Sequence, residues 1–527
     1  MKRYFNYQFI FFSILFISIS CNSVEIEYPT PLINAVNESF VINSGIFKLG
    51  EKEYNADYGT ISVPENRSNK NSRLIHLPVF RIHSKVENHK EPIFGLAGGP
   101  GQTNMNWSPI DSLLYDHDFV MVGYRGVDGS SVLACPEVAE AMVNCGDDLS
   151  SESSLKNISK SWVSSLNRLK SSGFDLDGYT IVETIEDMES VRKILNYERI
   201  NILSESYGTR IAYIYGLKHP SKILRTIMIG VNTPGNFIWD PIITDELINY
   251  YSSLWSKDSE KYKLSKDLAG TLKKVLNKMP SKWLILSINP GKVKAATFGL
   301  LMHRNTSAMV FDAFIAAEQG DYSGLALMSL AFDYTFPKMM VFGDCLTKAA
   351  SADLDYEKNI HYSSADQNKI LGAPFNDFIW KPFFSVGIRI KLIPEELRTI
   401  KETDVETLML SGSVDFANPP IFAKKFLKNF KNGRQIILSE YGHVGDLRYL
   451  NQNMSNKIIT DYFNHGKIET SFIKYIPMDF NVRFGFPIIA KIAIGIIVFV
   501  FVVLSLILFW VIKKYRQHRL KLSLIVK

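Results

Sequence analysis

Short apolar runs, each ended by glycine, proline or polar residues, recur along the first half of the chain and return after residue 404. Runs of this length predict buried strands, and they fall at residues 58–64, 74–80, 93–96, 119–122, 200–203, 227–229, 407–410 and 435–438. Between them apolar residues repeat at helical spacing, as from Ile181 to Leu195. Strands that alternate with helices and are apolar on both faces indicate an α/β fold with a mostly parallel, doubly wound sheet.

The alternation lapses between residues 235 and 403, where aromatic residues and helical patterns are frequent and strand-like runs are few. This change predicts a helical cap inserted into the sheet domain. The chain is therefore expected to form a first core part at residues 22–234, a cap at 235–403 and a second core part at 404–470. Such a cap would govern access to a site at the sheet edge.

The C-terminal region has the composition of a membrane anchor. Residues 492–512 contain no charged side chain, and a helix of this length spans about 30 Å, the thickness of the hydrocarbon layer. Five basic residues follow between Lys513 and Lys521. Because basic residues next to a span favour the cytoplasmic side, residues 513–527 are expected to be a cytoplasmic tail. Membrane lipid is thus an expected partner of this helix.

The N-terminus carries Lys2 and Arg3, then an apolar stretch and Ser20-Cys21, which predicts a secretory signal over residues 1–21. The end of this stretch also resembles a bacterial lipoprotein processing site, in which Cys21 would be acylated after cleavage. Ser18 stands where such sites carry leucine, so cleavage with and without acylation both stay open. An exported N-terminus and a cytoplasmic C-terminus place the body outside the cytoplasm, in the periplasm or the extracellular space.

Composition narrows the class of protein further. With 46% hydrophobic and 21% charged residues, the chain can bury a large core and is not of the disordered type. The formal net charge of +6 is carried by its two ends, since six basic residues lie at 513–527 and two at positions 2 and 3. The remainder is slightly acidic, so the body is not expected to bind nucleic acid.

Cysteine is scarce, at Cys21, Cys135, Cys145 and Cys345. None of these residues has the spacing of a zinc site, so no metal site is expected. In an oxidising compartment a disulfide between Cys135 and Cys145 is expected, which would leave Cys345 unpaired. Two separate buried thiols are the alternative.

Ser206 is the candidate nucleophile. It is the central residue of SESYG (residues 204–208), which lies between a predicted strand and a helical pattern. A nucleophile elbow needs this order of strand, tight turn and helix, with small residues beside the serine so that strand and helix can approach closely. An ordinary turn with a helix-capping serine is the alternative.

A serine hydroxyl is a weak nucleophile and needs a base, which in turn needs an acid to orient it. His443 follows the last predicted strand in a glycine-containing loop and is the candidate base. Asp415 follows the strand at 407–410 and is the candidate acid. Asp446 is a rival, but it lies only three residues from His443 on the same loop. The order Ser206, Asp415, His443 is the chain order of the α/β-hydrolase fold.

An acyl-transfer site also needs donors for the oxyanion. The AGGPG loop at residues 97–101 follows a predicted strand and leaves backbone N–H groups uncovered. The N–H groups of Gly99 and Tyr207 are the candidates. A plain glycine-rich turn or a phosphate loop is the alternative, although no phosphate-binding motif accompanies the loop.

Four stretches carry a family resemblance, namely IFGLAGGPGQ at 93–102, GYRGVDGSS at 123–131, Cys135-Pro136-Glu137 and ILSESYGTR at 202–210. They resemble the proline iminopeptidase and tripeptidyl aminopeptidase family of α/β-hydrolases, and the similarity extends over about residues 58–450. The sequence around Asp415 and His443 is similar to the acid and base motifs of that family.

The resemblance implies an α/β-hydrolase fold with the inserted cap and a serine peptidase that uses no cofactor. It implies Ser206 as nucleophile, Asp415 as acid, His443 as base, and Gly99 and Tyr207 as the oxyanion hole. Three positions depart from the family pattern, all near the expected substrate pocket: Ala97, Gly123 and Glu205.

The sequence therefore predicts a membrane-tethered serine hydrolase, an aminopeptidase that cleaves short peptides from the N-terminus through an acyl-serine intermediate. Glu205 is a candidate to bind the free α-amino group of the peptide, with a structural hydrogen bond inside the elbow as the alternative. An esterase or lactonase with the same residues is one alternative function. A catalytically silent hydrolase fold that serves as a membrane-bound binding module is the other.

Overall fold

The computed structural model describes residues 28–353 and 369–525, with side chains described up to residue 517. The predicted signal at residues 1–21, with Cys21, lies outside the described residues.

A nine-stranded sheet forms the centre of the molecule. The strands, in chain order with the small hairpin β8–β9 included, are β1 (Phe40–Leu49), β2 (Lys52–Pro64), β3 (Leu74–Ile82), β4 (Lys90–Leu96), β5 (His117–Val122), β6 (Ile200–Glu205), β7 (Ile223–Ile229), β8 (Lys282–Trp283), β9 (Leu286–Ser287), β10 (Glu406–Gly412) and β11 (Gly433–Leu438). The order across the large sheet is β1-β2-β3-β5-β4-β6-β7-β10-β11. Strands β1, β2, β3 and β5 pair antiparallel in that order, and the other neighbours pair parallel.

Helices cover both faces of this sheet and fill the long connection between β7 and β10. They are α1 (Pro136–Val143), α2 (Glu152–Ser171), α3 (Ile181–Ile194), α4 (Tyr207–Lys218), α5 (Pro241–Trp255), α6 (Ser259–Leu264), α7 (Leu268–Asn277), α8 (Pro290–Leu300), α9 (Arg304–Glu318), α10 (Ser323–Thr335), α11 (Phe342–Asp353), α12 (Lys381–Ser385), α13 (Glu395–Arg398), α14 (Pro420–Phe426), α15 (Val444–Tyr449), α16 (Gln452–His465) and α17 (Phe486–Ile525).

The central strands are buried on both faces because their successive side chains enter two different cores. Phe94, Val120 and Ile202 are partners in register and join one core, together with helices α1 to α4. Ile93 and Phe119, one position earlier, join the second core against helices α15 and α16. Strands covered on both sides read as continuous apolar runs, which is why the sequence predicts this part of the sheet well.

The connection between β7 and β10, which we call the insert, contains helices α5 to α13 and the hairpin. Aromatic rings form much of its core. Trp239 and Phe298 have ring centroids 5.5 Å apart, and Phe375 lies 5.1 Å from Phe298. Phe416, which follows strand β10 in the sheet domain, lies 6.2 Å from Phe298. The core of the insert is therefore continuous with the main core.

The predicted disulfide between Cys135 and Cys145 is not present, since both residues are free, buried thiols. They lie just beyond the two ends of helix α1, which has eight residues. At about 1.5 Å per residue this helix alone is about 12 Å long. A disulfide needs Cα atoms within about 7 Å, so the helix prevents the bond. Burial raises the pKa of Cys135 to about 12.

Within the described residues, one helix is long and apolar enough to cross a membrane. It is α17, whose segment Phe486–Gln517 contains 18 consecutive residues with a mean hydropathy of 3.3 and includes the predicted span at 492–512. Its first turn belongs to the folded body, because Phe486 and Ile489 are buried against helix α10 of the insert. Lys491 Nζ lies 2.6 Å from a carboxylate oxygen of Asp321, which fixes the next turn to the same region.

Residues 475–485, which we call the strap, lead into this helix and are anchored in the core of the insert by Phe480. The Phe480 ring is buried, with its centroid 5.2 Å from that of Trp255 and 6.1 Å from that of Phe311. A Cβ atom at Gly485 would lie 1.9 Å from Asp312 Oδ2, so a larger residue there would push the strap away from helix α9.

We predict that Phe480→Ala lowers the thermal unfolding temperature of the detergent-solubilised chain, because loss of a buried phenyl ring costs about 3–5 kcal/mol. Phe484→Ala is the matched control, since Phe484 lies on the same segment and is 42% exposed. Differential scanning calorimetry measures both variants. Equal unfolding temperatures for the two variants would contradict the docking of the strap.

Candidate active site

Ser206 occupies a strained turn between strand β6 and helix α4. Its backbone has φ 50° and ψ −119°, a conformation that non-glycine residues rarely adopt. The turn is held because the Ser206 N–H donates to Ile229 O at 2.8 Å. A Cβ atom at Gly208 would lie 2.1 Å from Leu96 O, so strand β4 and the helix approach as closely as a nucleophile elbow requires.

The residue before Glu205 also fits this turn. Ser204 is fully buried, and its hydroxyl donates to Ile227 O at 2.8 Å. A serine at the first small position of the motif is therefore accommodated with its polar group bonded.

Asp415 and His443 form a bonded pair next to this turn. Asp415 Oδ2 lies 2.9 Å from His443 Nδ1, and the carboxylate is fully buried. The other oxygen, Oδ1, accepts from the N–H groups of Ala417 at 2.9 Å and Asn418 at 2.8 Å. With Nδ1 protonated toward the carboxylate, the Nε2 atom of the imidazole is left as a proton acceptor.

The rival acid, Asp446, has a different function in the loop. Its Oδ2 accepts from the N–H of Gly442 at 2.8 Å and from the N–H of Arg304 at 3.0 Å. These bonds fix the backbone beside His443 rather than its ring, so Asp415 is the carboxylate that orients the imidazole.

Gly230, at the end of strand β7, lies between the serine and the histidine. A Cβ atom at Gly230 would lie 2.9 Å from His443 Cε1 and Nδ1. Asn418 Nδ2 donates to Gly230 O at 2.9 Å and to Ser206 Oγ at 3.4 Å. In the described part of the chain the Ser206 hydroxyl has no hydrogen bond to the His443 ring, so Asn418 is its partner. Catalytic hydrogen bonds are often long or unformed until substrate binds.

The electrostatics of the pair favour a charged imidazole. Burial by itself lowers the pKa of His443, but the Asp415 carboxylate outweighs this effect, and Glu205 and Asp446 act in the same direction. The net result is a His443 pKa above its ordinary value. A base of this kind gains strength and stabilises the imidazolium that forms when it takes a proton.

Glu205, the candidate for the peptide amino group, already has a cationic partner. Its carboxylate accepts from Arg448 of helix α15, and the Arg448 side chain is 3% exposed. Burial raises the pKa of Glu205, and Arg448 opposes that rise. The arrangement favours a structural role, in which an ion pair links the elbow to the helix that follows His443.

The glycine loop after strand β4 lies against the serine. A Cβ atom at Gly98 would lie 2.7 Å from Ser206 Cβ, so only glycine permits this contact. Gly99 follows with φ 71°. Tyr207 is the first residue of helix α4, where backbone N–H groups have no partner inside the helix. The glycine loop and the start of helix α4 thus lie beside the nucleophile turn, and Gly99 and Tyr207 stay the predicted oxyanion donors.

The insert contacts each of the three loops that carry these residues. Trp239 Nε1 donates to Ala417 O at 3.1 Å beside the acid, and Met302 O accepts from the N–H of His443 at 2.7 Å. Val341 N–H donates to Gly101 O at 2.7 Å in the glycine loop. The insert therefore takes part in fixing the site as well as covering it.

Comparisons with known proteins agree with this geometry at the level of the fold. Residues 91–267 match the family model for the α/β-hydrolase fold. Together with the mostly parallel sheet, this match gives the chain the α/β-hydrolase fold, as the sequence predicts.

Individual relatives are distant. Tripeptidyl aminopeptidase of Streptomyces lividans is 24% identical over 243 residues, which are 43% of this chain and 45% of that protein. A provisionally described hydrolase of Escherichia coli (strain K12), YuaR, is 26% identical over 203 residues, 34% of this chain and 38% of that protein. The chain thus spans less than half the length of these curated relatives. The solved structure of MGS-M2, an α/β-hydrolase from a deep-sea metagenome library, covers 76% of this chain and 98% of its own, with 11% identity and a TM-score of 0.37.

We predict that Asp415→Asn lowers the pKa of His443, because the carboxylate is what raises it against burial. The neutral imidazole is the active form, so reactivity of Ser206 rises with pH through this pKa. In the variant the midpoint moves to lower pH, and the plateau falls on the order of 10⁴-fold because the tautomer is no longer fixed. The pH profile of inactivation by a fluorophosphonate measures both effects.

Asp404→Asn is the control for this experiment, since Asp404 is exposed two residues before strand β10, at the opposite end of that strand from the acid loop. It should leave the profile unchanged. A variant at Asp415 with an unaltered midpoint would show that this carboxylate does not set the His443 pKa.

Proposed function

We propose that the protein is a membrane-tethered serine hydrolase that releases residues from the N-termini of short peptides. The observation that carries the proposal is the bonded pair of His443 and Asp415 beside a serine on a strained strand-to-helix turn. A buried carboxylate that orients an imidazole next to an activated serine position is the arrangement that acyl transfer needs.

In the proposed reaction His443 Nε2 takes the proton of Ser206 as Oγ attacks the carbonyl carbon of the substrate. The N–H groups of Gly99 and Tyr207 stabilise the oxyanion, and each such donor contributes about 3 kcal/mol in comparable enzymes. His443 then gives its proton to the leaving amine, which departs and leaves the acyl group on Ser206. Water, deprotonated by the same imidazole, hydrolyses the acyl-enzyme and restores the serine. No cofactor enters these steps.

Asn418 supports the resting state in this scheme. Its amide holds Ser206 Oγ at 3.4 Å and Gly230 O at 2.9 Å, while its own backbone N–H binds Asp415. Because Asn418 donates to Oγ, the hydroxyl proton of Ser206 is not used in this bond and stays available for transfer to His443 Nε2.

The preference for peptides rests on two supports. One is the resemblance of the glycine loop, elbow and base motifs to the tripeptidyl aminopeptidase family. The other is the 24% identity to tripeptidyl aminopeptidase of Streptomyces lividans across 43% of this chain. An esterase or lactonase would use the same three residues, and a silent binding module would retain the fold without the reaction.

The insert is proposed to act as a cap that admits short, extended substrates and excludes folded proteins. Its bonds to the acid, base and glycine loops support this role, because they leave the insert close above the serine. The apolar helix α17 supports membrane tethering, and the basic residues after the predicted span favour a site outside the cytoplasm.

We predict that a fluorophosphonate labels the chain at Ser206 and that labelling is lost in Ser206→Ala and in His443→Ala. The first variant removes the nucleophile, and the second removes the base that activates it. In-gel fluorescence and mass spectrometry of the labelled peptide measure the result. A well-folded chain that takes up no label would favour the silent binding module.

We predict that the purified chain hydrolyses aminoacyl- or tripeptidyl-amides with free N-termini faster than N-blocked amides of the same sequence. The blocked amide is the matched control, because it changes only the terminal amine. Release of the chromophoric amine measures the rates. Turnover of short acyl esters without turnover of any peptide amide would replace the peptidase by the esterase.

A further inference from the structure

The strap that leads to the membrane helix is bonded directly to the loop that carries His443. Glu440 lies three residues before His443, is 6% exposed and has φ 61°, a backbone conformation that is unusual for glutamate. One oxygen of its carboxylate accepts from the Tyr475 hydroxyl, and the other accepts from the N–H of Met478 at 2.5 Å. Two residues of the strap thus bind Glu440, on the N-terminal side of His443 in this loop, which we call the base loop.

The part of the base loop on the C-terminal side of His443 is bonded to Arg304, the first residue of helix α9. Its guanidinium donates to Ile476 O at 3.1 Å and to Pro477 O. These two carbonyl groups lie between Tyr475 and Met478, the strap residues that bind Glu440. Its N–H donates to Asp446 Oδ2 at 3.0 Å, and that same oxygen accepts from Gly442 N–H at 2.8 Å.

The backbone of His443 is bonded to the same turn of the insert. Its N–H donates to Met302 O at 2.7 Å, two residues before Arg304. A Cβ atom at Gly442 would lie 2.4 Å from Met302 O, so the base loop and this turn are packed as closely as glycine allows. Displacement of Arg304 would therefore be transmitted to His443 over two residues of backbone.

The other end of the strap is fixed where the membrane helix begins. Phe480 lies between the rings of Trp255 and Phe311, and Gly485 lies against Asp312. Phe311 and Asp312 belong to helix α9, as Arg304 does. One helix therefore contacts the base loop at its first residue and the strap along its length.

We propose that Arg304 and Glu440 are positioning residues for His443 and that they act by docking the strap, so the base is correctly placed only when the membrane-proximal segment is in position. The inference rests on the proposed function, since it concerns the base of that reaction. Proton transfer tolerates a displacement of only about 0.5 Å, which makes the base loop the part of the site most sensitive to such contacts.

The experiment uses the full chain in detergent and follows inactivation by a fluorophosphonate, resolved into the maximal rate constant, the half-saturating concentration and the final amplitude of labelling. We expect Glu440→Gln and Arg304→Ala to lower the maximal rate constant about tenfold, because the base is misplaced. Tyr475→Phe, which removes one hydroxyl, should lower it about threefold. The half-saturating concentration should change less than about twofold, since substrate contacts are not altered.

Two variants make the result specific. Arg304→Lys retains a cationic donor for the strap carbonyls and should recover part of the rate. Lys474→Ala is the matched control, since Lys474 precedes Tyr475 and is exposed, and it should react as the unaltered chain does.

The amplitude separates positioning from folding, because unfolded molecules take up no label and do not alter the rate constant of folded ones. Full amplitude with a lowered rate constant supports the inference. A reduced amplitude with an unchanged rate constant, or no change in either, overturns it. If the unaltered chain takes up no label, the proposed function fails. If the unaltered chain does take up label, the differences in rate constant between it and the variants test this inference alone.

Discussion

The buried carboxylate of Asp415 is the group on which the geometry of the site depends. A charge without solvent exposure is costly unless its oxygens are bonded, and here three donors satisfy it: two backbone N–H groups of its own loop and the His443 ring. The loop after strand β10 and the base loop must take up their positions together to meet that requirement. Asn418 extends the constraint to strand β7 and to Ser206.

The insert is bonded to the same loops, so it differs from a lid that moves freely about a hinge. Trp239, Met302 and Val341 bond to the acid loop, the base loop and the glycine loop respectively. A rigid swing of the whole insert would break all three contacts at once. Access to the serine is therefore expected to depend on smaller movements of side chains and connecting segments within the insert.

The sequence predicts those parts of the structure whose signal is local. Central strands are recognisable because both faces are buried, and the elbow is recognisable because strand, small residues and helix are consecutive. Strand β1 is not among the predicted strands, since Asn43, Ser44 and Gly45 interrupt its apolar residues and none of its positions is fully buried. The disulfide prediction was wrong because helix α1, introduced by Pro136, has too short an apolar pattern to be read from spacing alone.

Contacts between residues that are far apart in the chain have no local sequence pattern from which they could be predicted. Asn418 stands before two prolines and reads as a turn residue, and only the fold brings its amide to Ser206, 212 positions earlier. Arg304 and Glu440 belong to no motif, and the positive φ of Glu440 is not visible in the sequence. The catalytic roles of Ser206, Asp415 and His443 stay predictions. In the structure the three residues lie close together.

The first turn of helix α17 is packed in the body, which affects how the body could be separated from that helix. Many anchored ectodomains are joined to their span by an exposed stalk that a sheddase can cut. Here Phe480, Phe486 and Ile489 fix the equivalent segment to the body, each less than 10% exposed, while residues between them such as Phe484 are exposed. A cut in the exposed part of this segment would leave Phe486 and Ile489 packed in the body, so cleavage there would not by itself separate the body from helix α17.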